Sequence, residues 1–138
     1  MSEIMVETTV HAPVETVWQC WTEPFHIRQW NAASPEWHTP SASNDLRAGG
    51  TFSYRMEARD GSAGFDFAGQ YTRVVPQQLI EMTLDDGRKA RVEFLAAHEG
   101  VTVREVFEVE DTHSAEQQRQ GWQAILDNFA RHVQQCKT

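Results

Sequence analysis

Cysteine is scarce in this chain: Cys20 and Cys136 are the 2 in 138 residues. Two thiols so far apart, outside any C-x-x-C pattern, exclude a disulfide framework and give no zinc-ligand spacing, so two free thiols and no metal are expected. Basic side chains are also few, 12 Lys and Arg against 20 Asp and Glu, for a formal charge of -8 and a pI near 5.1. A chain without a basic stripe gains little from counterion release, so neither nucleic acid nor an anionic membrane is an expected partner. Long apolar runs are missing. MSEIMVETTV is too acidic and too briefly apolar for a signal peptide, and nothing later approaches a membrane span, so a cytoplasmic protein is expected. Absent too are a nucleophile elbow, a P-loop, a dinucleotide fingerprint, HExxH and any internal repeat. GSAG at Gly61–Gly64 matches the GxxG of one RNA-binding module, but it lies between two expected strands where that module needs helices, and it reads as a hairpin turn.

What is present suffices for one domain spanning residues 1–138, with 40% hydrophobic residues including 5 Trp and 7 Phe. Glu3 to Val10 reads as a strand. HAPVETVWQCWTE then changes period, with Val14, Val17, Trp18 and Trp21 on one helical stripe and Pro13 where a first turn tolerates it. EPFHIRQW suggests a second short helix, and the proline-broken NAASPEWHTPSASND reads as loop with room for an edge strand. From Arg47 the pattern is a meander: TFSYRMEA, FDFAGQYTRVV, LIEMTL, KARVEFLA and VTVREVFEV are separated by short, glycine-bearing connections, which makes neighbouring strands antiparallel. Ser114 with Gln117 resembles a capping box, and Trp122, Ile125, Leu126, Phe129 and Val133 repeat at helical spacing to about Gln135. An antiparallel sheet and a long amphipathic helix cover each other most economically by packing face to face, an α+β architecture.

The order of elements, together with APVETVWQCWTEP, NDLRAGGTFSYRMEARDGS, GFDFAGQYTRVVP and QRQGWQAILDNF, resembles the START-like (SRPBCC) ligand-binding superfamily with its helix-grip fold. Within it, the chain is similar to bacterial single-domain proteins related to the C-terminal domain of the heat-shock-protein-90 ATPase activator. The resemblance implies a curved antiparallel sheet wrapped around the long helix, a cavity between them, and a small-molecule or lipid-like ligand without a cofactor. Members of the superfamily include lipid carriers and polyketide cyclases, so an enzyme of cyclase or hydrolase kind is the alternative. A chaperone-interacting domain is a third reading, weakened because the activator's separate N-terminal domain has no counterpart in these residues. A homodimer stays open.

Alternation selects the side chains that would face such a cavity: Phe52, Tyr54 and Met56; Phe65, Phe67 and Tyr71; Ile80 and Met82; Val92 and Phe94; Val103 and Phe107. Opposite them stand Trp122, Ile125, Leu126 and Phe129 of the long helix, with Trp30, Trp37 and His38 toward a cavity mouth. The other histidines read as surface residues. Gly121 lies inside a helix at a cost of about 1 kcal/mol relative to alanine, which makes sense where a side chain would meet a backbone or obstruct a space. Arg55, Glu57 and Asp66 fall on the opposite face, where Arg55 can pair with Asp66; an inverted face assignment would instead put them in the cavity.

One residue breaks the pattern. In GVTVREVFEVE, Glu105 shares its face with Val101, Val103, Phe107 and Val109. An unpaired buried charge costs several kcal/mol, so Glu105 should meet a donor such as Tyr54, Tyr71, Arg91 or the Trp122 indole, or water, or a ligand. If the protein is an enzyme, Glu105 is the acid or base, with His38 or Tyr54 as its partner.

Overall fold

The alternating segments are strands and the segments of helical period are helices, in the order β1 (Glu3–Val10), α1 (Val14–Thr22), α2 (Pro24–Trp30), β2 (Trp37–Asn44), β3 (Thr51–Ala58), β4 (Gly64–Val75), β5 (Leu79–Leu84), β6 (Lys89–Ala97), β7 (Gly100–Glu108) and α3 (Ala115–Cys136). The protein is seen in a computed structural model that describes residues 2–136. The expected span of residues 1–138 exceeds these by residue 1 and residues 137–138. All seven strands form one antiparallel sheet in the order β1-β7-β6-β5-β4-β3-β2, so only β1 is displaced from sequence order. The sheet curls into a half-barrel around α3, the helix-grip arrangement of an α+β protein.

Local chemistry fixes the elements. Gly61 and Gly87 turn the β3–β4 and β5–β6 hairpins at φ 78° and 91°, a region costly to residues with a Cβ. At the start of α3 the Gln117 amide N–H donates to Ser114 Oγ and the Ser114 N–H donates to Gln117 Oε1, both at 3.1 Å, the reciprocal capping box expected from the sequence. Pro13 caps α1 with extended backbone, one position before the first helical residue.

The segment read mainly as loop holds a full edge strand, β2. WHTPSASN has no apolar alternation because its outer edge pairs with nothing in the sheet, and Pro40 falls where the ladder with β3 shifts register between His38 and Ser41. Its inward residue Thr39 is 3% exposed and donates its hydroxyl to the Asn31 carbonyl at 2.6 Å, tying β2 to the end of α2.

The two faces fall as alternation predicts. Arg55 lies on the outer face, 2.9 Å from Glu57 and 3.5 Å from Asp66, so these three residues face solvent. Arg91 is outside as well, pairing with Glu3 at 4.0 Å, and cannot serve Glu105. Pairing of β7 with β1 and β6 runs without a register shift, and Glu105 stands opposite Val6 on one side and Val92 on the other.

Candidate functional site

Between the concave face and the N-terminal half of α3 lies a cavity of about 430 Å³. Among the residues expected to face it, Trp30, Trp37, Phe52, Tyr54, Met56, Phe65, Phe67, Tyr71, Glu105, Trp122 and Ile125 line it. Ile80, Met82 and Val92 line it as well, whereas Phe94, Val103 and Phe107 are buried in the packed core, and Leu126, Phe129 and His38 also take different positions. Leu126 and Phe129 are each 0% exposed and belong to the packed core, in the stretch of α3 beyond Ile125, the last helix residue that lines the open space. His38 is half-buried on β2 opposite Glu57 and is not among the lining residues.

Aromatic rings build the walls. Phe52 sits 5.0 Å from Tyr71 and 5.9 Å from Phe67, while Trp122 stacks on Phe107 with ring centroids 3.9 Å apart and planes 10° off parallel. That stack anchors α3 to β7 just beside Glu105. Gly121 faces the space directly: a Cβ built there meets nothing within 4 Å, so its reason is open volume rather than a close backbone.

Glu105 is 7% exposed, and burial alone pushes its carboxyl up from 4.5 to about 8. At neutral pH it is therefore mostly a neutral acid. None of the proposed donors reaches it: among the described residues no side chain or backbone group forms a hydrogen bond with its carboxyl. Of the partners expected for Glu105, no protein donor is met among the described residues, and its carboxyl lines the cavity. The physical reason lies in its neighbours. Val6, Val92, Val103 and Phe107 flank it, and the nearby hydroxyls are committed elsewhere. Tyr54 and Tyr71 interact with each other, and Tyr71 also accepts from Asn44 Nδ2 at 3.4 Å. Burial first, then Tyr71 and the Glu105 charge, hold the Tyr54 phenol well above its usual value, so it stays a neutral donor.

Sequence reasoning missed the polar rim. Arg88, Glu110, His113, Gln117 and Gln118 line one end of the cavity. Gln118 Nε2 donates to the Glu110 and His113 carbonyls at 3.1 and 2.8 Å, which folds the β7–α3 connection against the helix start. His113 is exposed, as expected, and approaches Glu110 Oε1 at 2.7 Å, helping to hold that carboxyl below its ordinary value. No periodicity marks Arg88, Glu110 and His113, which lie in connections, and Gln117 and Gln118 sit in the first turn of α3 ahead of its apolar stripe. At the far end, Trp21 and Trp30 close the cavity with centroids 4.8 Å apart, and the Trp30 indole donates to the Cys20 carbonyl at 2.8 Å.

Comparison with known proteins supplies the frame. The profile of the family described as Activator of Hsp90 ATPase homolog 1-like protein matches residues 11–134. The solution structure of an AHSA1-like protein from Aeromonas hydrophila is 44% identical, with 98% of this chain and 94% of that chain covered and a TM-score of 0.92. A protein of Cytophaga hutchinsonii is 48% identical over 97% of this chain and 93% of its own, with a TM-score of 0.84. A crystal structure from Nitrosomonas europaea, 21% identical with 98% and 96% covered and a TM-score of 0.80, shares the fold. No curated protein matches the chain.

Proposed function

We propose, from the premise that this chain belongs to the family of Activator of Hsp90 ATPase homolog 1-like proteins, that its cavity binds an apolar or amphipathic small molecule and holds one polar group of it against Glu105. The observation that carries this reading is a largely buried carboxyl on the aromatic and apolar part of the cavity wall that no group among the described residues hydrogen-bonds. Such a group costs stability until something satisfies it, and a ligand hydroxyl, carbonyl or amide would do so, since a neutral carboxyl both donates and accepts. A volume of about 430 Å³ suits a small molecule, and the polar rim suits an amphipathic one whose outer end stays wet.

The raised pKa of Glu105 favours one second reading, a proton-transferring enzyme of cyclase or hydrolase kind with Glu105 as acid or base. Binding stands first because, among the described residues, no group forms a hydrogen bond with that carboxyl through which a proton would pass. The chaperone-associated reading rests on the family description alone.

Uptake of the neutral fluorophore N-phenyl-1-naphthylamine tests the site. Wild type should bind it, with affinity falling as pH rises through about 8 and Glu105 ionises, approaching tenfold per pH unit. Glu105→Gln should bind without that pH dependence, and Gly121→Phe should bind weakly while keeping its helical signal. Equal uptake by wild type and Gly121→Phe would place the ligand elsewhere. Native mass spectrometry of protein purified from its own host should reveal a co-purifying molecule; turnover of that molecule, lost in Glu105→Gln with binding spared, would establish the enzyme.

A further inference from the structure

The two cysteines that are 116 positions apart in the chain meet in space. Cys20 near the end of α1, His26 on α2, and His132 and Cys136 one turn apart on α3 bring one ligand atom each to within 4.8 Å of one another. His26 Nδ1 lies 2.8 Å from His132 Nε2, and Cys136 Sγ lies 3.5 Å from the same nitrogen. We propose that Cys20, His26, His132 and Cys136 form a Cys2His2 site for zinc that clamps the last turn of α3 to the α1–α2 corner.

Donor type, number and geometry support the assignment. Zinc takes four ligands of thiolate and imidazole type in a tetrahedron, with edges of about 3.3–3.8 Å from the usual bond lengths. The observed spread brackets those edges, and side-chain rotations alone reach them. Burial is what a structural site requires: Cys20 is 1% and His132 9% exposed, while His26 and Cys136 close the solvent side. With four protein ligands the coordination shell is full, so the ion would hold structure rather than activate water.

The sequence hid the site because each half is unremarkable. The pair His132 and Cys136 occupies consecutive turns of one helical face, and Cys20 and His26 straddle the break at Pro24. The surface role expected for the histidines fails for His132, which packs into this corner beside Val133. A clamp here would also brace the closed end of the cavity, because Cys20 neighbours Trp21 in the chain and its carbonyl holds the Trp30 indole. The inference does not depend on the ligand-binding reading.

The test is a Co²⁺ titration of the reduced, chelator-stripped protein, followed by displacement with Zn²⁺. One equivalent of Co²⁺ should give thiolate-to-metal charge transfer and the intense visible bands of a tetrahedral site, and Zn²⁺ should abolish them. Cys136→Ser changes an exposed side chain and should keep the fold, yet lose more than about 100-fold in Co²⁺ affinity, beyond what removal of a supporting hydrogen bond costs. His26→Gln serves as the second variant with the same expectation. Zinc should raise the melting temperature of wild type and leave both variants unmoved. Octahedral-type spectra, no binding by reduced wild type, or full affinity in both variants would overturn the site and leave a hydrogen-bonded His–Cys cluster in its place.

Discussion

Phe129 and Phe67 face the same interior from opposite sides. Phe129, on the C-terminal half of α3, is 0% exposed and touches Trp21 and Trp30 edge-on at 4.9 and 5.0 Å. Phe67, on β4, is half-buried and borders open space; Phe52 and Tyr54 lie beside it on the sheet at 5.9 and 6.1 Å, and from α3 the edge of Trp122 reaches it at 6.0 Å. The sheet sequences behind them are equally apolar. What differs is the cover: α3 packs against β1, α1 and α2, and α1 also covers β6 and β7, whereas the cavity beneath β3, β4 and β5 is bounded on the helix side by residues 117–125, where Gly121 withholds a side chain. An apolar face thus tells where the inside is; whether that inside is filled depends on how many elements share the cover.

The largest expected difference breaks or keeps that comparison. Phe129→Ala should cost about 3–5 kcal/mol in denaturant unfolding, because its neighbours cannot collapse into the gap, whereas Phe67→Ala should cost about 1 kcal/mol since it only enlarges an existing cavity. Equal losses would mean the cavity side is packed in solution.

A smaller effect sharpens it at Glu105. The folded protein holds this proton up to about pH 8 and the unfolded chain only to about 4.5, so between these values the folded state binds more protons. Stability therefore falls as pH rises across that window, by up to about 1.4 kcal/mol per pH unit from this group. Glu105→Gln should remove this slope in urea melts at a series of pH values; parallel profiles for the two proteins would show that Glu105 finds a partner or reaches water.

Smaller still, Gly121→Ala should stabilise by up to about 1 kcal/mol, since alanine is the better helix former and its methyl enters open space. A loss on thermal unfolding would mean that α3 sits closer to the sheet than the cavity requires. On the outer face, Arg55→Ala and Asp66→Ala should leave the denaturation midpoint unmoved, for that pair is exposed and screened. A measurable coupling between them would show that the convex face is covered in solution.

Much of this was legible in advance. Alternation through β3 to β7 fixed the inner face, glycine-bearing turns fixed the antiparallel order, and the Ser114–Gln117 box fixed the start of α3 within one residue. The strand β2 was less so, because an edge strand with one paired side needs no apolar period. Most of the residues expected to face the cavity line it, whereas Phe94, Val103, Phe107, Leu126, Phe129 and His38 do not. Leu126 and Phe129 share their helical stripe with Trp122 and Ile125, and a stripe carries no information on where along its length the sheet turns away.

By itself, then, the sequence determined which side of each strand is apolar, where each helix begins, and that one carboxylate, Glu105, sits among valines and phenylalanine. These are local properties, set by backbone period and by hydrogen bonds a few residues apart. Tertiary structure alone decided that Glu105 has no hydrogen-bond partner among the described residues, that the aromatic face encloses about 430 Å³, and that Cys20, His26, His132 and Cys136 converge. Each of those depends on the angle at which α3 crosses a curled sheet and meets the α1–α2 corner, a long-range arrangement that packing of all the elements sets jointly and no single segment encodes.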